Sequence, residues 1–167
     1  IVEGSDLFFI APDDEVFYEC EVIFFATPHG ISMKLADNFV KKNIKVIDLS
    51  ADFRLKDVNT WEQWYNTPHT QKDLLSESIY GLTELNLRNL KSAKIVAVPG
   101  CYPTASILGV LPLLKSEFNI ESIIIDAKSG ISGAGRNSVK NGLSNDIKEN
   151  FRAYGLEGHR HLPEIRE

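Results

Sequence analysis

A lone cysteine, Cys101, stands where an apolar run stops at Pro99-Gly100 and a helix-like pattern begins, in the stretch "AVPGCYPTASILGVLPLL". Pro103 falls in the first turn of that pattern, where a proline costs no hydrogen bond. A thiol at such a joint faces the unsatisfied N–H groups of the helix start and the positive end of its dipole. Both favour the thiolate, the form that acts as a nucleophile. The plainer alternative is a small buried hydrophobe, the usual fate of a free cysteine. Cys20 lies in "FYECEV" between Glu19 and Glu21, whose charges oppose a thiolate, so it reads as structural.

A thiolate nucleophile needs an acid/base partner. The chain has four histidines, His29, His69, His159 and His161. In "GHRHLPE", His159 and His161 flank Arg160, and their i, i+2 spacing points both to one side of an extended segment. A pair of surface histidines is the alternative. His29 and His69 fall in loops and rank lower. No CxxC or CxxH spacing is present, which argues against zinc. "SGISGAGR" sets Gly130, Gly133 and Gly135 among Ser129, Ser132, Ala134 and Arg136. Such a loop lets backbone N–H groups approach a phosphate or a flat ring closely, although it matches neither a P-loop nor the usual dinucleotide fingerprint. "DLSADFR" offers Ser50, Asp52 and Arg54, and an arginine there can grip a carboxylate or phosphate with both prongs of its fork. A surface salt bridge is its commoner use.

The elements that must position these groups follow from periodicity. "EVIFFATPHG" predicts a buried strand stopped by Pro28 and Gly30. Residues 31–42 repeat Ile31, Leu35, Phe39 and Val40 at helical spacing, and "KVIDLS" predicts a second strand. Together they form a βαβ unit. Residues 53–94 are less regular, and "AKIVAVPG" predicts a third strand. A helix is expected over 102–115, with Pro112 kinking or ending it early. "IESIIIDAKSG" predicts a fourth strand, running into the glycine loop. The tail "AYGLEGHRHLPEIRE" reads as an extended segment and then a helix start at Pro163-Glu164. Alternation of strands and helices gives an α/β class with a largely parallel sheet. In such sheets ligands gather beyond the carboxyl ends of the strands. "ATPHG", "DLSADFR", "VPGCYP" and "AKSGISGAGR" each follow an expected strand.

Composition sets outer bounds. The chain has 167 residues, 43% hydrophobic and 25% charged, which is ordinary for a globular protein with a real core. A net charge of -5 argues against a nucleic-acid partner. Apolar runs of about six residues are too short for a membrane span. The first residues show no signal peptide. Two cysteines in a chain of this length make no disulfide framework, so reduced thiols and a cytoplasmic or organelle-matrix location are expected.

Taken together, "FFATPHG", "DLSADFRL", "YGLTELN", "VPGCYPTA", "SGISGAGR" and "GHRHLPEI" occur in this order, over residues 16–167, in a chain that resembles the N-acetyl-gamma-glutamyl-phosphate reductases of arginine biosynthesis. The resemblance implies an α/β fold: a partial doubly wound, Rossmann-like parallel sheet followed by the start of an α+β catalytic domain. Residues 1–99 would be a partial NADP-binding domain, and 100–167 the beginning of the catalytic domain. It implies an NADP-dependent acyl-phosphate reductase that turns N-acetyl-glutamyl 5-phosphate into N-acetyl-glutamate 5-semialdehyde and phosphate. Cys101 would attack the acyl phosphate and form a thioester, which hydride then reduces. His161 would serve as acid/base with His159 beside it. Ala26, Thr27, Pro28, Ser50, Ser129, Gly130, Ser132, Gly133, Ala134 and Gly135 would contact the cofactor. Arg54, Arg136 and Arg160 would hold the substrate carboxylate or the departing phosphate. The partners expected are a small-molecule substrate and further copies of the chain, with neither nucleic acid nor membrane.

The resemblance has one departure. The family begins with a strand and a glycine-rich turn for the cofactor pyrophosphate, whereas the first 30 residues here hold only Gly4 and Gly30. The chain therefore reads as a middle piece of a longer enzyme, expected to bind NADPH poorly in isolation. Other readings are an aspartate-semialdehyde-dehydrogenase-like reductase, a cofactor-free Cys-His hydrolase and a non-catalytic assembly module.

Overall fold

The computed structural model describes Gly4 and residues 6–134, 150–151 and 153–167. Contacts divide the chain into two compact units, Ile1–Gly100 with Glu167, and Cys101–Arg166.

The first unit is built on a parallel sheet. A 3-10 turn, Glu15–Glu19, precedes β1 (Val22–Phe25), α1 (Ser32–Val40) and β2 (Lys45–Asp48). Then come α2 (Val58–Tyr65), α3 (Lys72–Glu77), β3 (Ile79–Tyr80), α4 (Thr83–Leu90) and β4 (Ile95–Ala97). The strand order is β1-β2-β4-β3, with every neighbouring pair parallel. Parallel neighbours need crossovers, and α1 supplies the one from β1 to β2. The expected βαβ unit is therefore present.

Alternation along the strands decides which face carries the core. Phe25, Val46, Ile95 and Ala97 are buried with Met33, Ala36 and Phe39 of α1 and with Trp61, Leu74 and Leu75. Phe39 meets Phe25 edge-on at 5.8 Å between ring centres. Val22 and Phe24, which alternate with those residues, are exposed.

The irregular stretch 53–94 folds through local punctuation. Asp57 caps α2 by accepting from the Thr60 N–H (2.8 Å) and hydroxyl (2.6 Å). Asn66 ends α2 in the left-handed region at φ 48°. Lys56 Nζ donates to the Leu75 (3.0 Å) and Ser76 (3.2 Å) carbonyls and to both the carbonyl and hydroxyl oxygens of Ser78. It thereby satisfies the carboxyl end of α3. Burial lowers the Lys56 pKa, against the opposing charge of Glu167.

The second unit opens with α5 (Cys101–Leu114), continues through coil to a 3-10 turn at Ile131–Ala134, and ends with α6 (Leu162–Arg166). Two expectations are corrected here. Pro112 lies inside α5 and does not end it before Leu114. The fourth sheet strand is Ile79–Tyr80, not the segment around "IIIDA". Ile123, Ile124 and Ile125 are 46%, 92% and 43% exposed in a segment without ladder bonds. An apolar run becomes a strand only against a neighbour, and no described strand lies beside this one.

Candidate active site

The carboxyl ends of β1 and β2 are tied to each other by a buried polar network. Asp52 accepts from the N–H of Gly30 at 2.8 Å and of Met33 at 3.0 Å, capping α1 from another loop. Ala51 N–H donates to His29 Nδ1 at 3.1 Å. Ser50 donates its hydroxyl to Asp48 (2.9 Å) and accepts from the Asp52 N–H (3.1 Å). Trp61 Nε1 reaches the Ala51 carbonyl at 2.8 Å, and His69 Nε2 lies 2.8 Å from the Asp52 carbonyl. "DLSADFR" is thus a rigid, buried turn. Burial pushes the Asp48 carboxyl up to about 6 against two Ser50 hydrogen bonds, with the Asp52 charge adding to the rise.

The expected site residues of this unit fall at that edge. Arg54 is buried and spends Nε on the Val98 carbonyl (2.8 Å) and Nη2 on the Leu49 carbonyl (2.9 Å). Its fork joins the loop after β2 to the chain after β4. Ser50 spends its hydroxyl within the turn. Ala26 and Pro28 are exposed. Thr27 differs: its Oγ1 is buried and finds no hydrogen-bond partner among the described residues. A buried hydroxyl normally has a partner, so this one suits a polar group of a ligand lying over β1.

The second unit holds the thiol and the imidazoles. Cys101 is the first residue of α5 and is exposed. Tyr102 follows it. The Tyr102 ring lies 5.4 Å from His159 and 6.0 Å from His161, edge-on to both. The two imidazoles are 4.8 Å apart. His159 Nδ1 accepts the His161 N–H at 3.1 Å, so its proton resides on Nε2 when the ring is neutral. Burial and the Arg160 charge lower its pKa, favouring that neutral form. His161 is buried and its carbonyl accepts from Ile165 N–H at 3.0 Å, which joins it to α6. The pair picked out by i, i+2 spacing therefore converges on the helix turn that begins with Cys101.

Sequence reasoning missed Tyr154. Its hydroxyl donates to that of Tyr102 at 2.8 Å and its ring sits 5.5 Å from His159. The only signal was an isolated aromatic in "AYG", far from Cys101 in sequence. Of the glycine loop, Ser129, Gly130, Ser132 and Gly133 are described and lie near the surface. Gly133 N–H closes a turn on the Gly130 carbonyl at 3.0 Å. A Cβ on Gly133 would come within 2.6 Å of Ser129 Oγ, the tip of an exposed side chain that can turn aside. Ala134 ends the turn, and Gly135 and Arg136 lie outside the described residues. Arg160 is exposed between the two imidazoles.

A family model described as "Semialdehyde dehydrogenase, NAD binding domain" matches residues 2–93. The chain belongs to the semialdehyde dehydrogenase family. A second model, "Semialdehyde dehydrogenase, dimerisation domain", matches residues 101–167. Curated relatives in this family carry the name N-acetyl-gamma-glutamyl-phosphate reductase. The protein from Ruthia magnifica subsp. Calyptogena magnifica is 53% identical over 97% of this chain and 48% of its own length. Those from Nitrosospira multiformis and Pseudomonas fluorescens are 48% and 49% identical over 97% and 96% of the chain. The chain spans about half the length of the curated relatives it matches. The parallel sheet of the first unit is the α/β, Rossmann-like architecture that a dinucleotide-binding member of the family needs.

Proposed function

We propose that this semialdehyde dehydrogenase chain is part of an NADP-dependent N-acetyl-gamma-glutamyl-phosphate reductase, acting in arginine biosynthesis within a homo-oligomer in the cytoplasm. The observation that carries the chemistry is the seating of His159 and His161 against the first turn of α5, next in sequence to Cys101. The relatives' name supports the substrate, and the dimerisation-domain match supports assembly with further copies. Among the described residues no helix is long and apolar enough to cross a membrane.

The Cys101 thiolate adds to the acyl carbon of the acyl phosphate. Phosphate leaves with the electron pair of the C–O bond, and a thioester remains on Cys101. The N–H groups at the start of α5 would donate to the tetrahedral oxyanion. Reduced NADP, when bound, supplies the hydride. Collapse of the resulting thiohemiacetal releases the aldehyde and restores the thiolate. His161 moves the proton, since His159 Nδ1 is already occupied by a backbone N–H. Residues 1–99 would hold the dinucleotide, with Ala26, Thr27 and Pro28 at the carboxyl end of β1. Thr27 Oγ1 is the donor best prepared for it. Arg136 and Arg160 would face the substrate's negative groups, whereas Arg54 would brace the loop after β2.

The reverse reaction tests this. N-acetyl-glutamate semialdehyde, phosphate and NADP are mixed with the chain in its full-length context, and reduced nicotinamide is followed by absorbance. Activity lost by more than about a thousandfold in Cys101→Ser but retained in Cys20→Ser supports the reading. Equal activity in Cys101→Ser defeats it.

A further inference from the structure

Residues 153–161 run as coil and turn up to the start of α6, yet they carry both imidazoles. Something other than secondary structure must fix them. Gly155 and Gly158 both have positive φ, 62° and 147°, and Gly158 N–H closes on the Gly155 carbonyl at 3.1 Å. That reversal brings Tyr154 back against His159. The Tyr154 hydroxyl then meets the Tyr102 hydroxyl, on the residue that follows Cys101.

We propose that Tyr154, through its hydroxyl bond to Tyr102, is a positioning residue that sets the His159–His161 pair against the first turn of α5 beside Cys101. This deepens the reductase reading and rests on it. Ring packing alone resists separation but tolerates sliding and rotation in the plane of contact. One hydroxyl–hydroxyl bond restricts that freedom, because it ties an atom at the rim of each ring. Tyr102 touches both imidazoles, so its orientation is passed to both. Tyr154 is 57% exposed, and partial desolvation, the Tyr102 hydrogen bond and the neighbouring Tyr102 and Cys101 charges push its hydroxyl up to about 12, so it keeps its proton across the working pH range.

The test is the pH profile of Cys101 alkylation by iodoacetamide, with Cys20 in the same molecule as reference, in the full-length protein and its Tyr154→Phe, Tyr154→Ala and Tyr102→Phe variants. The expected result is a parent Cys101 that reacts faster than Cys20 near neutral pH. Tyr154→Phe and Tyr102→Phe should slow it about threefold and Tyr154→Ala about tenfold, each moving its inflection toward that of Cys20. The urea midpoint of the phenylalanine variants and the rate at Cys20 should stay unchanged. If Tyr154→Ala does not fold, the two phenylalanine variants decide the matter. Variants that match a fast-reacting parent would overturn the positioning role alone. A parent Cys101 indistinguishable from Cys20 would remove the catalytic reading and the role with it.

Discussion

The Asp52 carboxylate accepts the Met33 N–H at 3.0 Å, so helix α1 is capped by a residue that follows β2 rather than by its own neighbour Ile31. Its second oxygen holds the Gly30 N–H at 2.8 Å. Two loops at the carboxyl edge of the sheet are thereby one structure.

Asp52→Ala should therefore cost more than an ordinary cap. It strands two N–H groups beside a fully buried position, for about 2–4 kcal/mol. Asp52→Asn, which keeps one acceptor oxygen, should lose about half of that. Urea denaturation of the three proteins checks the order, and equal midpoints would contradict it.

Asp48 makes stability depend on pH with a definite sign. Its folded pKa of about 6 lies above the ordinary 3.8, so between those values the native state binds a proton that the unfolded chain has lost. The group's stabilising contribution is complete below pH 3.8 and is lost as pH rises through 6. From about pH 5 to above pH 7 it should remove about 1 kcal/mol of stability, at roughly 1.4 kcal/mol per pKa unit. Asp48→Asn should flatten that slope, as read by the difference between urea curves at the two pH values. A variant with the parent's slope would place the proton elsewhere.

Gly81 abuts β4. A Cβ there would sit 2.9 Å from Val96 Cγ1 and 3.0 Å from the Ala97 carbonyl oxygen, which already accepts the Gly81 N–H at 2.7 Å. Gly81→Ala should destabilise by about 1–3 kcal/mol through overpacking. Thermal unfolding measures it, and a raised Tm would refute the close approach.

Arg54→Lys separates two uses of one arginine. Lysine keeps the charge but cannot span the Val98 and Leu49 carbonyls with a rigid fork. The expected loss is about 1 kcal/mol of stability, since one of the two partly buried carbonyls would lose its charged donor. Unchanged stability with a raised KM for the acyl phosphate would instead make Arg54 a substrate contact.

The βαβ unit was legible because each of its elements carries its own pattern: "EVIFF", a helical stripe ending in lysines, and "KVID". β3 was not, because two residues carry no periodicity, and its place is set by Val96 and Ala97 across the ladder. The opposite error arose at Ile123–Ile125, where composition favours a strand and the ladder partner is missing among the described residues. The thiol at the helix start and the paired histidines were readable from turn chemistry and spacing. Arg54 and Ser50 looked available for a ligand because a sequence does not display the backbone carbonyls and carboxylates that engage them. Tyr154 stayed hidden because a long-range contact leaves no local trace.

Trp61 is fully buried, bonded to Ala51, stacked on Tyr65 at 4.8 Å and edge-on to the His69 ring at the same distance, whereas Trp64 is partly accessible to water. The molecule consequently carries its own optical gauge of the turn after β2. Indole emission from Trp61 will shift to the red as soon as that turn opens, whether or not the rest of the sheet has melted.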